Sequence, residues 1–255
     1  LAIEEPIDEI HLILTASDAT LRVITEENEV GVKKIVLTSS VAAIIYGHEK
    51  DSFNEEDWTD TDAEGCSAYN KSKTYAEKAA WDFINSDECN MELSVINPSL
   101  VLGPVLESDF GTSVELVKRF LNGGFPLAPN ISFGIVDVRD VAQLHLLALE
   151  SPQASGNRFI ASSETLAIPL ISEFLRKKIP EYQKRLPKGT APDFLIQLLG
   201  FFSPLMKTVA NQLGKTKELD NSKAKNILGW QPRSGEEAVI ASAKSLIEFD
   251  IVKSP

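Results

Sequence analysis

Three short runs, "KKIVLTSS" (33–40), "MELSVINPS" (91–99) and "NRFIASS" (157–163), constrain the fold most. Each is nearly all apolar over strand length and then ends in small polar residues. A strand that is apolar on both faces has to be covered on both faces, which is the situation of a parallel sheet flanked by helices. The segments between them carry apolar residues at helical spacing, so strand and helix alternate along the chain. "EIHLILTAS" (9–17) reads as a further strand and "DATLRVITEENEVG" (18–31) as a helix ending at Gly31. The expected fold is α/β: a Rossmann-type doubly wound parallel sheet with right-handed crossovers.

After Pro98 the texture changes. "LVLGPVLESDFGTS" is an irregular connection, "VELVKRFLNGG" (114–124) a helix closed by glycines, and "FGIVDVRDVAQLHLLALESP" (133–152) a strand entering a helix with Asp140 as its N-cap. From Thr165 onward the reading is helical, through "TLAIPLISEFLRKKIP", the apolar stretch 194–206, and a last pair capped by Asp220 or Asn221. The division that follows is 1–103 with 133–163 for the sheet domain, and 104–132 with 164–255 for a smaller, mainly helical substrate lobe. Net charge is −12, which disfavours nucleic acid or an anionic membrane as a partner. The stretch 194–206 is too short and too interrupted to span a bilayer, and reads as a greasy helix lining a pocket or covering an interface. Cys66 and Cys89 show neither metal nor disulfide spacing, no metal site is indicated, and a reducing cytoplasm suits them.

One helix carries candidate chemistry. "AYNKSKTYAEKAAW" (68–81) sets Tyr69 and Lys73 at i, i+4, on one helix face. A free tyrosine, with a pKa of about 10, is a poor proton donor at neutral pH. A neighbouring ammonium favours the phenolate, and a shift of roughly three units is worth about 4 kcal/mol. By itself this spacing is also that of a solvated helix. "TSS" before it matters because ligands of open parallel sheets bind at the carboxyl ends of strands, although Ser and Thr also favour plain strand-ending turns. Among other candidates, His145 lies on an apolar helix face and reads as a packed, hydrogen-bonded histidine. His11 and His48 have no partners at metal or triad spacing, Cys66 reads as an inert thiol, and Asp137, Arg139 and Asp140 read as structural.

"TSS", "YNKSKTYAEKAAW", "VINPSLVLGP", "VDVRDVAQLHLLALE" and "NILGWQPRS" occur in that order, and together they resemble the extended short-chain dehydrogenase/reductases. The nearest branch is that of dihydroflavonol, cinnamoyl-CoA and aldehyde reductases. The resemblance implies a catalytic set of Ser40, Tyr69 and Lys73, with Ser39 the alternative if the register slips by one. It implies that Tyr69 donates a proton to a substrate carbonyl, Ser40 polarises that carbonyl, and Lys73 assists Tyr69 and holds the nicotinamide ribose. It further implies cofactor contacts at Pro98, Leu100 and Val101, at Ser113, and at Thr15, Ala16 and Ser17 in the segment after a strand. The implied cofactor is NADP (NADPH) rather than NAD, the partner a small-molecule carbonyl substrate, and a homodimer through the Tyr69 helix is common in the family. Alternatives on the same scaffold are a nucleotide-sugar epimerase or dehydratase, to which "IIYG" (44–47) lends support, and a catalytically silent cofactor sensor.

Two departures stand out. None of the 14 glycines forms the family's glycine-rich fingerprint, the turn that sets a pyrophosphate on a helix N-terminus. "TAS" also runs directly into the next helix without the family's loop. Both are expected if about 70 N-terminal residues and a loop lie outside this sequence, which opens "LAIEEPIDEI" without Met. Where flavonoid reductases of this branch carry Asn, five residues past the catalytic serine, this chain has Ile45, which points to a smaller or more apolar carbonyl compound.

Overall fold

The chain enters its first strand from a helix and not from another strand. The computed structural model describes residues 8–255; Leu1–Ile7 lie outside them. Helix α1 (Glu9–Glu29) is continuous and begins at Asp8, whose Oδ1 accepts from the His11 N–H at 3.1 Å. The expected strand at 9–17 is therefore corrected, and Thr15, Ala16 and Ser17 are mid-helix residues and not a segment running on from a strand. The physical reason is visible along the segment. No glycine or proline interrupts residues 9–30, and apolar side chains recur at a helical period that lays Ile24 into a core with Ala80 and Leu93. Gly31, at φ +83°, lies just past the helix end, where a left-handed residue is needed.

From there the expected alternation holds. It runs through β1 (Lys34–Thr38), a short β2 (Ser52–Phe53), α2 (Ala68–Ile84), β3 (Glu92–Pro98), β4 (Leu100–Leu102), α3 (Glu115–Leu121), β5 (Ser132–Asp137), α4 (Val138–Glu150) and β6 (Asn157–Ala161). The C-terminal part adds β7 (Glu164–Ala167), α5 (Ile168–Lys178), α6 (Asp193–Gly200), α7 (Pro204–Ala210), β8 (Glu218–Leu219), α8 (Ser222–Leu228) and α9 (Gly235–Glu248). Strands β1, β3 and β6 form a parallel sheet with β3 in the middle, Thr38 opposite Ile96 and Pro98 opposite Ala161. Strand β4 pairs parallel with β5, β5 pairs antiparallel with β7, and β2 pairs parallel with β8.

Strand β3 is buried from Leu93 to Pro98. Leu93 and Val95 meet α1 and α2 around Ile24, Ala80 and Met91. Ile96 on the opposite face packs with Phe159, Leu144, Ala148, Ala224 and Trp230 from β6, α4, α8 and the turn after it. A third core joins Val117 and Phe120 of α3, Ile171 and Leu175 of α5, and Val239, Ala243 and Leu246 of α9.

Some boundaries differ from expectation. Helix α4 is capped by Asp137, which accepts from the Arg139 N–H at 2.9 Å. Asp140 is buried in its first turn, where it accepts from Arg233, because a carboxylate with a guanidinium partner can be sunk where an unpaired one cannot. Residues 164–167 form β7, not helix, drawn onto β5 by register pairs such as Phe133 with Leu166. The apolar stretch 194–206 is broken into α6 and α7 and exposes Phe194, Leu198, Phe201 and Phe202 in the single chain. No described helix is long and apolar enough to cross a membrane.

Trp230 is 1% exposed, and its Nε1–H donates to the Asp140 carbonyl at 2.9 Å. Truncation there would leave a cavity. Trp230→Ala is expected to lower the unfolding free energy by about 3–5 kcal/mol, read from the urea midpoint at unchanged slope.

Candidate active site

Strand β1 delivers two serines with different surroundings. Ser39 is buried, its N–H donates to the Ile96 carbonyl at 2.8 Å, and its hydroxyl donates to Glu77 Oε2 at 2.5 Å. Ser40 follows in extended conformation (φ −162°) and caps the 3-10 turn Val41–Ala43, its Oγ accepting from the Ala42 N–H at 3.1 Å. A hydroxyl that accepts from a backbone amide keeps its own proton to donate. Ser40 thus retains a donor for a ligand, whereas the Ser39 hydroxyl is already committed to a carboxylate.

Helix α2 begins at Ser67, whose side chain accepts from the Asn70 N–H. The cap sets Tyr69 in the first turn, and Tyr69, Lys73 and Glu77 follow one another along a single stripe at i, i+4 spacing. Lys73 Nζ lies 5.9 Å from the centre of the Tyr69 ring. Lys73 forms no ion pair among the described residues. The helix packs against the turn that Ser40 caps, just past the carboxyl end of β1.

A cavity of about 180 Å³ opens there, lined by Leu37, Thr38, Ser39, Lys73, Ala76 and Glu77, with Ala16 and Thr20 of α1 closing it. Ala16 is thus beside Lys73 even though its backbone is helical; Thr15 and Ser17 do not line the cavity. Pro98 ends β3 beside Ala161 of β6, Leu100 and Val101 start β4 on the way to β5, and Ser113 stands in the turn before α3. None of these four lines the cavity. A wider open depression, about 640 Å³, surrounds Trp230, Pro232 and Arg233. It contains none of Ser40, Tyr69 or Lys73; of these three, only Lys73 lines the smaller cavity.

On the other side of Tyr69 lies a group of aromatic and basic residues. Burial pushes the Tyr46 phenol above its ordinary value, and the charges of Tyr69 and Cys66 add to that rise. Lys217 donates to the Ile45 carbonyl at 2.7 Å, with its ammonium 4.4 Å from the Tyr46 ring centre and 5.7 Å from that of Phe53. Ile45 is buried with Ile44, Phe53 and Ile160. Burial lowers the Lys217 amine from its ordinary value to about 8, and the charge of Lys215 acts in the same direction. The Cys66 thiol is pushed up by burial first, as suits an unreactive thiol. His145 is bonded at both nitrogens: its Nδ1–H donates to the Val141 carbonyl at 2.8 Å and its Nε2 meets Thr38 Oγ1 at 2.7 Å, a packed histidine as expected.

Sequence reasoning passes over Glu77, Arg158 and Lys217. Arg158 carries a usable signal, since a lone cation inside the apolar run "NRFIA" needs a buried partner. Glu77 and Lys217 carry none, because their partners are remote in the chain.

Lys217 yields a pH dependence of stability. Between about 8 and its ordinary 10.5 the unfolded chain holds a proton that the folded chain does not. Stability therefore rises with pH through that window, and below it the folded state bears the full cost of the buried ammonium. Lys217→Met is expected to be more stable than wild type at neutral pH, with the gap closing on passing through the window. Urea unfolding on either side of the window measures both; a constant gap would exclude the mechanism.

Comparison with known proteins places the chain in a family. Residues 5–161 match the NAD dependent epimerase/dehydratase family. The chain is 33% identical over 236 residues to the NADPH-dependent methylglyoxal reductase GRE2 of Saccharomyces cerevisiae, covering 86% of this chain and 65% of that protein. It is 37% identical over 190 residues to the cinnamoyl-CoA reductase CAD2 of Medicago truncatula, covering 71% of this chain and 56% of that protein. The structure of yeast Gre2 complexed with NADPH superposes with a TM-score of 0.75 at 28% identity, over 93% of this chain and 71% of that one. The chain thus spans less than two thirds of the length of these curated relatives. With a matching parallel sheet and its flanking helices, the chain belongs to the NAD dependent epimerase/dehydratase family, the extended short-chain dehydrogenase/reductases.

Proposed function

We propose that the protein is an NADPH-dependent reductase of small aldehydes or ketones, in which Ser40, Tyr69 and Lys73 do the protein's share of the chemistry. The observation that carries this reading is the packing of the helix that bears the Tyr-Lys stripe against the turn capped by Ser40, a serine with a free proton, at the carboxyl end of β1. NADPH, when bound, supplies a hydride to the carbonyl carbon. The donor set beside the cavity suits the nicotinamide end of that cofactor: Lys73 and Thr38 can hold ribose hydroxyls. At about 180 Å³ the cavity has room for a ring or a sugar, well below a drug-sized pocket of ~300 Å³ or more. Among the described residues no glycine-rich turn opens a helix toward a pyrophosphate, so the residues that fit are those of the nicotinamide end alone.

In this reading Ser40 donates its hydroxyl proton in a hydrogen bond to the substrate oxygen, while the Ala42 amide holds the Ser40 oxygen in place. Tyr69 gives its proton to the same oxygen as negative charge develops there. Lys73 stabilises the phenolate that remains. Ile45, five residues past Ser40, is apolar and buried with Ile44 and Phe53, which favours an aliphatic or aromatic carbonyl compound over a polyhydroxylated one. The relatives' names, methylglyoxal reductase and cinnamoyl-CoA reductase, agree with a carbonyl substrate. The free, half-buried Cys66 and Cys89 suit the cytoplasm.

In the full-length protein, Tyr69→Phe is expected to lower kcat for NADPH-dependent reduction of an aldehyde panel by about 10²–10⁴-fold, with the circular dichroism spectrum and the KM for NADPH retained. Unchanged turnover in that variant would refute the assignment.

A further inference from the structure

Glu77 is 1% exposed on α2, one turn beyond Lys73, and lines the same cavity. Its carboxylate accepts four hydrogen bonds from donors spread over the sheet and its own helix. Oε2 takes the Ser39 hydroxyl at 2.5 Å and the Asn97 amide at 2.7 Å. Oε1 takes Arg158 Nε at 2.6 Å and Trp81 Nε1 at 3.4 Å. Four acceptances fill the capacity of a carboxylate.

Two of these donors reach further. The same Asn97 amide nitrogen donates to the Ser40 carbonyl at 3.2 Å. Arg158 is 7% exposed, and its Nη1 donates to the Glu55 and Asp57 carbonyls at 2.9 and 2.6 Å. Its guanidinium also lies 3.8 Å from the centre of the Trp58 ring. One carboxylate therefore ties together the serine turn after β1, the end of β3, strand β6, helix α2 and the loop over residues 54–59. A buried ion pair is a weak source of stability, since an apolar pair of similar size often does as well. What it adds is fixed direction, because each lone pair of the carboxylate is aimed at one donor.

We infer that Glu77, paired with Arg158, is a positioning residue: it holds the Ser40 turn in register with Tyr69 and Lys73 and holds the loop carrying Trp58 against the site. The inference rests on the reductase reading for its activity arm alone. In the full-length protein, the double variant Glu77→Leu/Arg158→Met removes both charges and leaves no buried ion unpaired. It leaves the Ser39, Asn97 and Trp81 donors without their acceptor, so it is expected to stay folded at a lowered urea midpoint, to lose about 10²-fold in kcat, and to keep the KM for NADPH within about twofold. Amide hydrogen exchange over residues 55–59 is expected to rise about tenfold while α2 keeps its protection. A stable double variant with wild-type kcat and wild-type exchange would overturn the inference. If that variant does not fold, Ser39→Ala, which removes one donor and spares the ion pair, is expected to reduce kcat by about fivefold at unchanged KM; no change in kcat would count equally against it. A wild-type protein without carbonyl reductase activity would refute the reductase reading and leave the exchange result to judge the positioning role.

Discussion

Strand β3 is the constraint on which the rest of the structure depends. It runs parallel between β1 and β6 and is buried on both faces, so helices must cover it from both sides. Parallel pairing also brings the carboxyl ends of its neighbours to the same edge. Ser39 and Ser40 after β1, Asn97 and Pro98 on β3, and Ala161 on β6 gather there because of that arrangement and not because of any local preference. Helix α2, packed on the same layer, needs only its Ser67 cap to start Tyr69 at the right height.

Polar groups at that edge are deeply buried. Glu77, Asn97 and Arg158 are all buried, and each would be costly there without the others. Two atoms of the network, Asn97 Oδ1 and Arg158 Nη2, are without partners among the described residues. On the outer side, Lys217 is held between the Ile45 carbonyl and two aromatic rings and is shifted toward neutrality. The two cations flank the site in different ways. Arg158 is compensated by a carboxylate, whereas Lys217 relies on a carbonyl and on ring faces, and accordingly its amine is depressed.

Much of this architecture is legible in the residues themselves. The runs over 33–40, 91–99 and 157–163 are recognisable because strands buried on both faces leave an unbroken apolar signature. The Tyr69-Lys73 stripe is recognisable because helical spacing is local. The segment 9–29 is misleading because an apolar run flanked by small polar residues has no intrinsic preference between strand and helix, and the decision lies with what it packs against. Here that partner is α2, with Ile24 against Ala80 and Glu9 paired to Lys71. Residues 164–167 mislead for the same reason, their state being fixed by pairing with β5.

Sequence alone determined the layer architecture, the family resemblance and the placing of Tyr69 and Lys73 on one helix face, since all three rest on periodicity and on residues close together in the chain. Only the tertiary structure distinguishes the surroundings of Ser39 from those of Ser40. Their sequence contexts are alike, and the difference is that Glu77, 38 residues beyond Ser39, takes the hydroxyl of the first and leaves that of the second. The buried Glu77–Arg158 pair is likewise a property of the fold, because its members are 81 residues apart and meet only when β6 lies beside β3 under helix α2.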